Sequence, residues 1–138
     1  MEVRIKYTEI QEFIKKNFQK EVGVTYVDPS TVSVSTRIQV FAFARNVGVD
    51  LKVEKLEGSI LHLVYSGKLG IELLISPAIS FLKRLVPEKT NLISQGTGNK
   101  LFVNLAEIDQ LKEVLDKVEL KSISFDENHI IVEADLKY

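Results

Sequence analysis

The run "FDENHI" brings Asp126, Glu127 and His129 close together, two carboxylates and an imidazole that could hold a divalent cation. The spacing matches no established site, and Asp-Glu-Asn between two alternating runs has the composition of a solvated hairpin turn, which is the expected reading. Glu133 and Asp135 would project from one face of the next strand, as paired acid/base carboxylates do. Their alternation with Ile130, Val132, Ala134 and Leu136 is also what a solvated face requires. His62, the other histidine, sits between Leu61 and Leu63 and is expected as a core or interface residue rather than a ligand. Gly96-Thr97-Gly98-Asn99-Lys100 has the glycines of a phosphate loop without its G-K-[ST] ending or its strand-loop-helix setting, and reads as a turn. Ser76 and Ser80 have no histidine at a readable spacing, and the absence of cysteine removes thiol chemistry. No catalytic residue, metal site or cofactor is expected, and the chain is not expected to be an enzyme.

The elements that position these residues follow from hydrophobic periodicity. Thr8-Glu9-Ile10-Gln11 has the form of a capping box, and Ile10, Phe13, Ile14 and Phe18 recur at helical spacing. They predict a first helix over 9–20, stopped by Gly23. From Thr31 the period becomes two: Val32, Val34, Ile38, Val40 and Ala42 alternate with Ser33, Ser35, Arg37 and Gln39. Val47, Val49, Leu51 and Val53 then oppose Asp50, Lys52 and Glu54, giving two long strands joined near Arg45-Asn46. "GSILHLVYSG", residues 58–67, is a third strand apolar on both faces, with Leu61, Leu63 and Tyr65 on one and Ile60 and Val64 on the other. In "ISPAISFLKRLVP" Ser76 suits the N-cap and Pro77 the first helical position, and Pro87 stops the run, predicting a helix over 77–86. Its Phe81, Leu85, Ala78, Leu82, Val86 and Ile79 cover roughly 160° of the wheel.

"SQGTGNK" is a turn, and "LFVNL" a short strand leading to Asn104-Leu105-Ala106-Glu107, a second capping box with Val103 and Ile108 as a hydrophobic staple. Ile108, Leu111 and Leu115 give the following helix its buried stripe. Val118 to Phe125 and the alternating run from Ile130 to Leu136 close the chain as a hairpin. The order of helix, three long strands, apolar helix, short strand, helix and hairpin predicts an α+β fold with an antiparallel sheet.

With 138 residues, 45% hydrophobic and 27% charged, the chain reads as one domain over 1–138 with its own core and no linker. No stretch approaches the roughly 18 apolar residues of a membrane span, and "EVRIKYTEIQEF" lacks the apolar core of a signal peptide. As it stands the chain reads as cytoplasmic; one from which a leader had been removed would be extracytoplasmic. The net charge of −1 conceals +4 over residues 1–100 and −5 over 101–138. Lys15, Lys16 and Lys20 on the first helix could meet phosphates or make a peripheral contact with an anionic membrane surface, but Glu9, Glu12 and Glu21 dilute them and an ordinary solvated face is the expected reading. Phe41 and Phe43 of "VFAFAR" fall on the outer face of the first long strand and could stack bases or face a second layer. The net acidic chain favours the second layer, and no nucleic-acid partner is expected.

The segments "YTEIQEFIKKNF", "ISPAISFLKRLVPE", "KLFVNLAEI" and "VELKSISFDENHIIVEADL" together resemble the small bacterial members of the tubular lipid-binding superfamily, across nearly the whole chain. The resemblance implies a long, strongly curved antiparallel sheet wrapped around the apolar helix, with two further short helices. It also implies non-enzymatic binding of a lipid or other long hydrophobic molecule in the groove between sheet and helix. Ala78, Leu82 and Leu85 are the expected contacts, joined by Leu74, Leu61 and Leu63, while Ile79, Phe81 or Val86 seat the helix. The competing expectation is a structural domain that buries its second apolar face, from Phe41, Phe43, Ile60 and Val64, in a homodimer or larger homo-oligomer.

Overall fold

The computed structural model describes residues 1–40, 43–67 and 93–137. In chain order these form β1 (Glu2–Lys6), α1 (Tyr7–Phe18), β2 (Val22–Asp28), β3 (Thr31–Val40), β4 (Phe43–Glu57) and β5 (Ile60–Gly67). After them come β6 (Ile93–Gln95), β7 (Lys100–Asn104), a 3₁₀ turn (Leu105–Glu107), α2 (Asp109–Lys117), β8 (Val118–Phe125) and β9 (His129–Leu136). Every strand pair is antiparallel, in two open sheets ordered β2-β3-β4-β5-β7-β6 and β1-β9-β8. The α+β class and the antiparallel pairing read from the sequence are those observed. The closing hairpin, however, does not extend the long sheet, because β9 takes β1 as its second neighbour. The helix expected over 77–86 lies outside the described residues, as do Phe41, Leu74, Ala78, Leu82 and Leu85.

Local chemistry explains where elements begin and end. α1 starts at Tyr7 rather than after Thr8, since the Tyr7 N–H donates to Asn128 O at 3.1 Å and so continues the β1–β9 ladder into the helix. The Glu9 Oε1 accepts from the Lys6 N–H at 3.1 Å, one half of a capping box displaced two residues from the expected one. The helix ends at Gln19, in the left-handed region with φ 55°, its N–H bonded to Lys15 O at 3.0 Å. Gly23 is not the stop; it lies in β2 opposite Ser35, where a Cβ would stand 2.9 Å from the Ser35 Oγ.

The first long hairpin turns between Val40 and Phe43, which pair, so Arg45 and Asn46 lie inside β4 opposite Ile38 and Arg37. Phe43 therefore opens the second long strand instead of ending the first. β4 and β5 turn through Gly58, at φ +58°, and Ser59. Asn104 Oδ1 accepts from the Ala106 N–H at 3.1 Å, which caps the 3₁₀ turn; α2 itself begins only after Ile108.

The β2–β3 turn ties the two sheets together. Pro29 O accepts from the Phe125 N–H at 2.9 Å, and Ser30 O from the Val53 N–H at 2.8 Å. Asp28 Oδ1 fixes the turn by accepting from the Ser30 N–H at 2.9 Å, and that bond, with one from the Thr31 side chain, holds the carboxyl below its usual range. Two apolar clusters result. One centres on Tyr7, Val32 and Phe125 with Val24, Val34, Ile123 and Ile130; the other on Leu63, Tyr65 and Leu101 with Val49, Leu51, Leu61 and Val103. Val53 packs against both.

Candidate functional site

Strand register builds one apolar surface out of three strands. Leu51 pairs with Tyr65 and Val53 with Leu63, while β5 sets Leu61 against Val103 and Leu63 against Leu101. Because side chains alternate across a strand, all of these residues share one face, and Val32 and Val34 continue it through their pairing with Leu51 and Val49. A bulge keeps the phase: Val53 pairs with Leu63 and Lys55 with His62, so Glu54 is the extra residue. Among the described residues of the β4–β5–β7 part Leu63, Tyr65 and Leu101 are buried, and Val49, Leu51, Val53, Leu61 and Val103 are half-buried. No large side chain among those described is completely buried. Leu61 and Leu63, expected as ligand contacts, thus stand side by side with six residues that the sequence reading did not place in the lining: Val49, Leu51, Val53, Tyr65, Leu101 and Val103. The alternation of Leu101 and Val103 in "KLFVN" was the available signal for two of them.

The opposite face of β5 carries Ile60, His62 and Val64. Ile60 is 39% exposed and Val64 half-buried, which agrees with the reading of this strand as apolar on both sides. The His62 ring meets Phe102 edge-on, centroids 4.9 Å apart and planes at 87°, so a packing role accounts for it.

The polar candidates that are described lie in turns and on an exposed strand face. Asp126 Oδ1 accepts from the Asn128 N–H at 2.9 Å and the His129 N–H at 2.6 Å, with the His129 Nδ1 at 3.1 Å, and Oδ2 meets the Arg4 Nη1 at 3.2 Å. This carboxylate pins the β8–β9 turn. Among the described residues no group of three or more His, Cys, Asp or Glu side chains is placed to hold a metal ion. Glu133 and Asp135 are exposed, and the Lys121 Nζ lies 3.9 Å from Asp135. Gly96 to Lys100 is the β6–β7 turn, closed by the Gly96 N–H on Lys100 O at 2.9 Å.

An open cleft of about 460 Å³ lies among Lys6, Tyr7, Thr8, Gln11, Val24, Asn128 and His129. Its polar groups already serve the fold: Gln11 Oε1 accepts from the Val24 N–H at 2.8 Å and the Tyr7 hydroxyl donates to Asp126 O. Among the described residues no helix is long and apolar enough to cross a membrane. No known protein family, curated protein or solved structure matches the chain.

Proposed function

We propose that the protein is a non-enzymatic binding module that holds a lipid or other long hydrophobic molecule against the β4–β5–β7 face. The observation that carries this reading is the under-buried apolar wall: among the described residues Val49, Leu51, Val53, Leu61 and Val103 form continuous apolar surface yet stay half-buried around three buried side chains. Interiors normally close-pack, so a wall of this kind is suited to an apolar occupant. The resemblance to tubular lipid-binding proteins supports the same class of ligand, an acyl chain of a fatty acid or phospholipid.

Native mass spectrometry of the purified protein, followed by uptake of a fluorescent fatty acid, tests the reading. The informative variant is Leu61→Phe. If the wall faces ligand, the added bulk occupies ligand space: uptake falls and the urea midpoint barely moves. If the wall is filled core, overpacking costs about 1–3 kcal/mol. No bound lipid and no uptake by the parent, with marked destabilisation of the variant, overturns the proposal.

A second reading rests on the exposed Ile60 beside Val64, on the far side of β5. There the protein is an interaction domain and another copy covers the patch.

A further inference from the structure

β1 is the open edge of the three-stranded sheet. β9 pairs with one side of it, and among the described residues no strand pairs with the other. The phase of the ladder decides which peptide groups face that open side. The Ala134 N–H donates to Met1 O at 2.9 Å at one end, and the Tyr7 N–H donates to Asn128 O at 3.1 Å at the other, so odd-numbered residues bond to β9. Even-numbered residues turn the opposite way. Lys6 shows this directly, its N–H going to Glu9 Oε1, while its carbonyl, at the N-cap, belongs to the first turn of α1. The N–H and C=O of Glu2 and of Arg4 remain, four groups spaced to receive one strand.

The side chains divide by the same alternation. Met1, Val3 and Ile5 lie on the apolar face, Val3 opposite Val132 and Ile5 opposite Ile130, and Met1 and Val3 are 56% and 47% exposed. Glu2 and Arg4 lie on the other face, joined by an ion pair of 3.0 Å.

We propose that the open edge of β1 pairs antiparallel with β1 of a second copy of this chain, with Val3 facing Val3 across a two-fold axis and Glu2 facing Arg4. This register uses all four free groups: Glu2 N–H with Arg4 O, Arg4 N–H with Glu2 O, and the symmetric pair. Each Glu2 carboxylate meets the other copy's Arg4 on one face. On the other, the two Val3 side chains meet at the axis, where strands approach most closely, and Met1 packs against Ile5. Neighbouring registers fail. A slip one way opposes Arg4 with Arg4 and sets Glu2 against Lys6, whose N–H is taken; a slip the other way opposes Glu2 with Glu2. Charges on edge strands usually prevent pairing, and here their order permits one register and rejects its neighbours. The product is a continuous six-stranded sheet, β8-β9-β1-β1-β9-β8, closed by two-fold symmetry. So short a contact gives a dimer that exchanges with monomer as concentration changes.

This edge is separate from both faces of β5, so its test stands apart from the proposed function. Sedimentation velocity of the full chain over a concentration series should show monomer–dimer exchange. Glu2→Arg sets like charges across the edge and should raise the dissociation constant roughly tenfold. Arg4→Glu should do the same, and the double exchange Glu2→Arg with Arg4→Glu should restore the dimer, thermal unfolding being followed alongside because Arg4 also meets Asp126. Arg4→Pro removes an outward N–H that no described residue uses and should give a monomer with unchanged circular dichroism. If Arg4→Pro does not fold, the charge exchange decides alone. A parent that stays monomeric at the highest concentration, or a dimer that survives Glu2→Arg undiminished, overturns the proposal.

Discussion

Asp126 accepts two backbone N–H bonds at its turn and faces both the His129 ring and Arg4. The bond from Asn128 leads in holding its carboxyl below the usual range, and those from the His129 side chain and backbone add to it. A depressed folded-state value stabilises the fold at pH values above the unfolded one, about 4, and that stabilisation is lost as pH falls through the folded value. Asp126→Asn should therefore differ most from the parent in urea unfolding at pH 7, and the gap should narrow below pH 4. A gap of equal size at both pH values would mean that the charge of Asp126 is irrelevant to the turn.

β5 is the element that must satisfy two environments, with Leu61, Leu63 and Tyr65 towards one cluster and Ile60, His62 and Val64 on the reverse. Among the described residues Phe102 covers part of the reverse face, against His62. Ile60→Glu tests what meets the rest. At a position 39% exposed the substitution alone costs within about 0.5 kcal/mol, so the urea midpoint should hold. If another copy covers the patch, the buried charge should disperse that assembly in sedimentation while the β1-mediated dimer persists. An unchanged assembly state would free this face from any role in association.

Among the described residues the two sheets meet through the Pro29 carbonyl on the Phe125 N–H and through the apolar cluster in which Val24, Val32, Val34 and Val53 of the long sheet pack with Ile123, Phe125 and Ile130; Val53 also packs against the second cluster. Val53→Ala removes two methyl groups at the junction and should cost about 1–2 kcal/mol. Tyrosine fluorescence reports on both clusters through Tyr7 and Tyr65, and circular dichroism reports on the sheets. Both midpoints should shift together to lower urea, as a single cooperative unit requires. Separate transitions in the variant would show that the clusters unfold independently.

Periodicity in the sequence was enough to find strands at β3, β4, β5, β7 and the closing hairpin with its Asp126 turn, because residues 31–40, 47–53 and 130–136 alternate; it did not find the first turn, expected near Arg45-Asn46 and observed between Val40 and Phe43. The two faces of β5 were legible for the same reason. β1 and β2 were not, since "EVRIK" and "VGVTYVD" are short, and β1 becomes a strand only by pairing with a hairpin more than a hundred residues away. The start of α1 moved from Glu9 to Tyr7, and its cap from Thr8 to Lys6, because a bond to Asn128 outweighs local capping preference. Which half-buried residues stand together, Leu61 beside Val103 and Leu51 beside Tyr65, was likewise fixed by register between strands distant in the chain. Local pattern specifies which side of a strand is apolar; only pairing, which pays loop-closure entropy for non-local contacts, decides what that side faces.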